Sequence, residues 1–392
     1  MRACVDCLRR TRLLGDLSPA IDRRFHRRRP SGLLTLDDAA LVRALAEPSG
    51  RRTAVPPPYR DDELLERCAR DAHDHGVEAI CRHDEAYPPK LLELADPPAV
   101  LHVLGGLERL RAVLGPDGLR PAVAIVGARQ APAEAREVAH RFAGALAAAG
   151  VTVISGMAFG IDAAAHDGAL VGGAGAEIDG GTTVAVLAGG PERASPARHR
   201  ALHERIGREG VVLSEMAPGT TPRPWGFPAR NRLIAALAEV TVVVAAASRS
   251  GSLSTAHFAL DLDRPVGVVP GSIASPAYAG SNRLLRDEPG TSVLLEPDDV
   301  RGLLGDRGGQ AILPLAAADP LAGLDGFARA LGERLTDGPK TIEQLLVGQD
   351  PAEVLACLAD LEARGRLRRD FSGTISLVAA GAFGPGDDGM TP

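Results

Sequence analysis

In the stretch AIVGARQAP, residues 124–132, an apolar run stops at Gly127 and a large cation, Arg129, follows two positions later. A guanidinium where a buried strand emerges either caps a loop in solvent or meets an anion through its planar fork of N–H donors. A second stretch, SGMAFGID, offers Ser155, Gly156, Phe159, Gly160 and Asp162. Glycines there let backbone approach a ligand, and the helix that follows supplies unpaired N–H groups. Tight turns need glycine as well. A third stretch, WGFPARNR, puts Trp225, Phe227, Arg230, Asn231 and Arg232 within eight residues. Aromatic faces beside guanidinium groups suit stacking on bases together with contact to phosphates. Phe227 fits that use and fits packing under the following helix equally well; Trp225 is expected to pack. A fourth, SRSGSLSTAH, sets Ser250, Gly251, Ser252, Ser254 and Thr255 at a helix start, where hydroxyls and backbone N–H groups make an anion nest.

Other chemistry is missing from the sequence. There is no G-x-x-x-x-G-K-[ST], which excludes phosphate-loop nucleotide hydrolysis, and the first loop lacks the G-x-G-x-x-G of dinucleotide binding. Asp162 and His166 lie four apart on one helix and are expected to serve as a helix cap and a packed side chain. Cys4 and Cys7 form a C-x-x-C pair, but a zinc site needs two more ligands and no second pair exists. Free or redox-active thiols, no metal and no cofactor are therefore expected.

The elements that must position these residues follow from periodicity. From residue 121, short β-branched runs (AVAIV, VTVIS, TVAVLAG, GVVLSE, VTVVVAA, PVGVVPG) alternate with Ala-rich helical runs. Near-continuous apolar strands alternating with helices imply a parallel sheet covered on both faces, an α/β, Rossmann-like doubly wound fold. Ligands of such sheets bind beyond the carboxyl ends of the strands, where all four stretches fall. Residues 1–75 are expected to be an N-terminal helical region and 76–300 the core, the latter opening on a Pro-rich, irregular lead-in to a short strand. Residues 301–325 are expected to be a linker, 326–380 a winged helix and 381–392 a disordered tail. Within the winged helix, TIEQLL carries the capping-box signal Thr341 and Gln344; DPAEVLACLADLEARG is capped by Asp350, with Val354, Leu355, Leu358 and Leu361 on one face.

The chain has 392 residues and is 45% hydrophobic but only 3% aromatic, so its core must be mostly aliphatic. A net charge of −6 restricts any nucleic-acid site to a local patch. Residues 1–30 carry nine Arg against three Asp and offer one such patch, or a solvated helix face. Five scattered cysteines fit a reducing cytoplasm, the start lacks the apolar region of a signal peptide, and the longest apolar run is too short to span a membrane.

The set IVGARQAP, ISGMAFGIDAAAH, VAVLAGG, LSEMAPG, FPARNRLIAAL, SGSLSTA, VVPGS and GSNRLL, in this order and spacing, resembles the DNA-processing protein A family (DprA, also called Smf) over most of residues 76–290. The resemblance implies a homodimer, joined through the Rossmann-like domain, that binds single-stranded DNA without catalysis. It also implies protection of incoming DNA in natural transformation and help in loading the RecA recombinase. The family's Gly-Ser/Thr-Arg motif falls on Gly127, Ala128 and Arg129, and its arginine contacts DNA phosphate. FPxRNR falls on Phe227, Arg230, Asn231 and Arg232, and SGSLxTA on Ser250 to Ala256. The implied DNA-binding set is Gly127, Arg129, Ser155, Gly156, Phe159, Gly160, Phe227, Arg230, Asn231, Arg232, Ser250, Gly251, Ser252 and Thr255. Three positions depart from the family pattern: Ala128 lacks the hydroxyl, Phe159 stands where Arg or Lys is common, and Ala245 where Glu is usual.

Two other functions compete. Related Rossmann-like folds cleave nucleoside monophosphates with a Gly-rich loop and a catalytic Glu; here Ala256 and His257 stand at the loop's end instead. A duplex-reading winged helix is disfavoured because residues 331–371 hold six basic and eight acidic side chains. Basic residues gather only at the wing, Arg366, Arg368 and Arg369, and the acidic balance of the module points to a protein-binding or auxiliary role.

Overall fold

The computed structural model describes residues 2–25, 32–45, 60–115, 120–174, 183–305, 321, 324, 326–336, 338, 340–363, 366–369 and 374–377. It divides into two compact units, residues 1–309 and 310–392.

The first unit is built on a nine-stranded sheet. Its strands are β1 (Val77–Cys81), β2 (Val100–Leu104), β3 (Ala122–Val126), β4 (Thr152–Ser155), β5 (Thr183–Leu187), β6 (Val211–Ser214), β7 (Val240–Val243), β8 (Val266–Val268) and β9 (Thr291–Val293). Their spatial order is β1-β2-β6-β5-β4-β3-β7-β8-β9. From β6 to β9 every pairing is parallel; β1 and β2 add antiparallel to the β6 side. The chain winds outward from β3 through β4, β5 and β6, then returns to place β7 against the other side of β3. That reversal makes the carboxyl ends of β3 and β7 the switch point, the edge at which ligands of such sheets bind.

Both faces of the sheet are covered. In β3, Ala122, Ala124 and Val126 join one aliphatic core, and Val123 and Ile125 the other, as the two-residue period of a strand requires. All five residues are buried, which is why AVAIV is apolar throughout. The helices of this unit are α1 (Val5–Phe25), α2 (Asp38–Leu45), α3 (Asp61–His75), α4 (Leu107–Leu114), α5 (Ala133–Ala148), α6 (Ile161–Gly172), α7 (Arg200–Glu209), α8 (Gly226–Leu237), α9 (Ser252–Asp261), α10 (Ala279–Asp287) and α11 (Pro297–Gly305). Helices α5 and α6 cross closely: Gly168 lies against the His140 carbonyl and Gly172 against that of Gly144, where a Cβ would come within 2.1 Å.

Some boundaries differ from those read in the sequence. The N-terminal region carries α1, α2 and α3, and Leu17 and Ile21 of α1 share a core with Trp225 and Ala229 within the first unit. The lead-in to the core contains two strands, because β1 precedes the Pro-rich segment. The core runs to α11, past residue 300, and the first residues of the expected linker are helical. The proposed tail, 381–392, lies outside the described residues.

The second unit holds α12 (Gly326–Thr336), α13 (Ile342–Leu346), α14 (Pro351–Ala363) and an antiparallel pair, β10 (Leu367–Arg369) and β11 (Ile375–Leu377). Thr341 and Gln344 form the reciprocal capping box, and Asp350 accepts the Ala352 N–H at 2.8 Å. Val354, Leu358 and Leu361 are buried in its core, but Leu355 is 48% exposed. One residue beyond Val354 turns about 100° around a helix, off the buried stripe. Among the described residues no helix is long and apolar enough to cross a membrane.

Candidate nucleic-acid interface

The loops after β3, β4 and β7 are stapled together at the switch point. The Ala128 N–H donates to the Ala245 carbonyl at 2.7 Å, and the Ile161 N–H to the Ala128 carbonyl at 3.3 Å. A Cβ on Gly127 would stand 2.5 Å from Ile161 and 2.8 Å from the Ala245 oxygen. Gly160, at φ 80°, takes a backbone conformation that other residues adopt at a cost, and its Cβ would strike the Ala128 carbonyl at 2.3 Å. These glycines therefore let the loops approach one another, where the sequence had suggested approach of a ligand. Ala245, with its carbonyl holding Ala128, is wholly buried.

Arg129 projects from this knot and is exposed, with its guanidinium carbon 5.2 Å from the centroid of Phe227. That places a cation over an aromatic face in the first turn of α8. The rest of the FPARNR motif divides by depth. Arg230 is 4% exposed; its guanidinium lies against Gly156, where a Cβ would sit 1.8 Å from Nη1, and Nη1 donates to the Val186 carbonyl at 2.5 Å. Its Nε has no partner among the described residues. Asn231 Nδ2 donates to the Gly251 carbonyl at 3.2 Å and Ser254 Oγ at 2.9 Å, tying α8 to the loop before α9. Arg232 is 1% exposed and committed: both its Nη atoms donate to Glu215, at 2.9 and 2.7 Å, and Nε to Asp96 at 3.1 Å. Burial alone would lower its pKa, but Glu215 and Asp96 outweigh it and raise Arg232 above the usual arginine range. In this arrangement Arg232 presents no surface to a ligand, contrary to the grouping drawn from the motif.

Ser155 and Thr255 are also internal. Ser155 Oγ donates to the Ile125 carbonyl at 2.6 Å across the β3–β4 pair, and Thr255 is 1% exposed. Gly251 is exposed and Ser250 and Ser252 are half-buried, with the two hydroxyls 2.7 Å apart at the start of α9. Trp225 packs as expected, 2% exposed, with Nε1 donating to the Ser18 hydroxyl at 3.0 Å.

Asp162 and His166 are likewise internal. Asp162 is not the N-cap; Gly160 takes that position, and Asp162 in the first turn accepts the Ala158 N–H at 3.3 Å. Burial raises its pKa against the opposing pull of Arg230 and Arg129. Burial also brings Arg230 down to about 10, with Asp162 opposing and Arg129 adding to the fall, so Arg230 stays charged near neutrality. Two guanidinium groups thus face one carboxyl, leaving a local positive excess. His166 bonds through Nδ1 to the Thr183 hydroxyl at 2.8 Å.

Phe159 lies at the mouth of this region, 39% exposed, its ring edge-on to His199 at 4.8 Å between centroids. His199 donates from Nδ1 to the Met157 carbonyl at 3.0 Å, and buried Met157 holds a left-handed backbone at φ 55°. Such strain gathers where a structure over-determines a loop for use. His199, forty residues from Phe159 in sequence and in no motif, carried no sequence signal.

The family profile described as "DNA recombination-mediator protein A" matches residues 78–304, more than half of the chain. The chain belongs to this family. A DNA processing protein DprA of Mycobacterium tuberculosis is 42% identical over 279 residues, 69% of this chain and 68% of that protein. Protein Smf of Escherichia coli is 33% identical over 306 residues, 76% of each. Among solved structures, DprA of Streptococcus pneumoniae superposes with a TM-score of 0.54 at 28% identity, covering 77% of this chain and 98% of that one. DprA of Helicobacter pylori, described for its single-stranded DNA binding mode, gives 0.50 at 26% identity, covering 59% of this chain and 96% of that one.

A second cluster was not expected. Cys4, Cys7, Cys81 and His83 bring their donor atoms within 4.8 Å of one another. The sequence reading found no second ligand pair for Cys4 and Cys7; in the fold they meet Cys81 and His83, a C-x-H pair that follows α3 in sequence. Its donors are too distant in sequence for spacing alone to reveal. Elsewhere in the Arg-rich start, Arg9 pairs with Asp61, Arg10 with Asp38 and Arg12 with Asp71, so these three are engaged by protein carboxylates. Residues 26–31, with the remaining arginine cluster, lie outside the described ones.

Proposed function

We propose that this DprA-family protein binds single-stranded DNA along the carboxyl edge of its sheet, without cleaving it, protects it, and helps load the RecA recombinase in DNA uptake and recombination. The observation that carries the reading is the exposed Arg129 guanidinium over Phe227 at the switch point. Arg129 contacts phosphate, Phe227 and Phe159 offer faces to bases, and Asn231, Ser250, Gly251 and Ser252 line the path toward α9. Gly127, Ser155, Gly156, Gly160, Arg230, Arg232 and Thr255 shape that surface from beneath, with Arg230 adding positive field. Phe159 in place of a cation shifts the balance from phosphate contact toward stacking.

The chain acts as a homodimer in the cytoplasm, joined through the Rossmann-like unit. Exposed apolar side chains at the β8–β9 end of the sheet, Ile273, Val293 and Leu295, support that pairing. The second unit is a winged helix used for protein contact, in keeping with its acidic balance.

The test is fluorescence anisotropy of labelled poly-dT with wild type and Arg129→Ala, at low and high salt. Loss of one phosphate contact lowers the steepness of log K against log salt by about 0.7. Tight wild-type binding that the substitution leaves unchanged, in affinity and in salt slope, would move the site elsewhere. Release of free base from nucleoside monophosphates would replace the binding reading with a hydrolytic one.

A further inference from the structure

Away from the strand-end edge, four side chains that commonly ligate metals converge. Cys4 precedes α1, Cys7 lies in its first turn, Cys81 ends β1, and His83 stands in the turn after it. Main-chain bonds bring the two segments together: the Arg2 N–H donates to the Ala79 carbonyl at 2.8 Å, and the Cys81 N–H to the Arg2 carbonyl at 3.0 Å. His83 Nδ1 lies 3.4 Å from Cys4 Sγ and 3.5 Å from Cys7 Sγ. The Cys4 N–H points at Cys81 Sγ, 3.4 Å away.

The two sulfur–nitrogen distances are those of a coordination shell. Zinc–sulfur bonds of about 2.3 Å and zinc–nitrogen bonds of about 2.0 Å, set tetrahedrally, put sulfur and nitrogen about 3.5 Å apart. A dithiol needs two sulfurs only. Here a third sulfur and an imidazole nitrogen face the same point, and Cys7 and Cys81 are each 3% exposed while Cys4 and His83 lie at the surface. A closed inner side with an accessible outer side lets a metal enter and then be sealed. Three thiolates and a neutral imidazole leave a bound zinc with one net negative charge. Arg82 stands in sequence between two of the donors, and Arg2 reaches Asp84 at 3.8 Å beside them. Arg82 offsets that charge, while Arg2 is balanced by Asp84.

We propose that Cys4, Cys7, Cys81 and His83 bind a structural zinc ion that clamps the start of α1 to β1. The far half of the same helix holds Trp225: its Nε1 bonds to Ser18, and its N–H donates to Asp22 at 3.2 Å. Trp225 immediately precedes α8, which carries Phe227, Arg230 and Arg232. The ion therefore fixes one end of a strut whose other end supports the interface helix. Cys4 and Cys7 precede the family-matched residues 78–304, so half of the ligand set lies outside them.

The experiment uses the full chain, purified without chelators, with zinc measured by mass spectrometry against protein concentration. About one zinc per chain is expected, falling to near none in His83→Ala and in Cys4→Ser, whose side chains are exposed. Cys68→Ser, a buried cysteine outside the set, keeps the metal. As a check independent of how the variants fold, wild type stripped of metal and titrated with cobalt shows thiolate-to-metal charge transfer and tetrahedral visible bands. The proposal is overturned if stripped wild type takes up neither zinc nor cobalt, if His83→Ala and Cys4→Ser retain full zinc, or if Cys4 and Cys7 are isolated as a disulfide in freshly purified protein.

Discussion

Replacing Arg232 with Ala tests whether this arginine of the FPARNR motif serves the fold, in contrast to the exposed Arg129. Arg232 is 1% exposed and holds Glu215 through two hydrogen bonds and Asp96 through a third. Those carboxylates are themselves nearly buried, at 9% and 5% side-chain exposure, so deleting the guanidinium removes the buried cation that pairs with both. Removing one partner of a buried ion pair costs about 3–5 kcal/mol. At about 2 °C per kcal/mol for a unit of this size, the unfolding midpoint should fall by on the order of 5–10 °C. Thermal unfolding of the full chain checks the magnitude. Poly-dT anisotropy, run well below the lowered midpoint, checks the role: affinity and salt slope should stay near wild type. Arg129→Ala should show the reverse pattern, with an unchanged midpoint and a shallower salt slope. A stable Arg232→Ala protein with a reduced salt slope would refute the reasoning, because it would mean that Arg232 leaves its carboxylates to meet DNA.

Two further outcomes follow from the same geometry. Gly156→Ala places a methyl 1.8 Å from the Arg230 guanidinium, and should cost about 1–3 kcal/mol by overpacking. A double-mutant cycle with Arg230→Ala should recover most of that cost; additive losses would show that the two residues do not meet. Stability should also fall in mild acid. Burial holds His102 at about 3, with Arg12 adding to the fall, and holds His166 at about 3, with Arg230 and His199 adding, against 6.5 for an ordinary histidine. Between those values the unfolded chain binds more protons, so this stability is fully present above about pH 6.5 and is lost as pH falls toward 3. Each histidine contributes a slope of up to about 1.4 kcal/mol per pH unit, measurable as unfolding midpoints at neutral pH and about pH 5. His102→Leu should flatten the profile; an equally steep profile in that variant would count against the assignment.

The sequence alone determined the alternation of strands and helices, the parallel sheet and the edge at which its motif-bearing loops gather. Strands buried on both faces must be apolar at every position, so AVAIV and VTVVV announce themselves locally, and the loops that follow are fixed at strand ends by topology. Trp225 as a packed side chain and the capping box at Thr341 were legible for the same reason: each depends on neighbours close in the chain, or on a simple preference for burial. The strand β1 was not, because its five residues, VEAIC, derive their pairing from β2 across a Pro-rich segment. Depth was not legible either. Arg129, Arg230 and Arg232 are chemically one residue type, and only packing made the first a surface cation, the second a buried one beside Gly156 and the third a structural ion pair with Asp96, 136 residues away. Cys4 and Cys81, 77 residues apart, met for the same reason. Local pattern records what a residue prefers, whereas the company it keeps is set by long-range contacts that exist only once the sheet and its helices have closed around it.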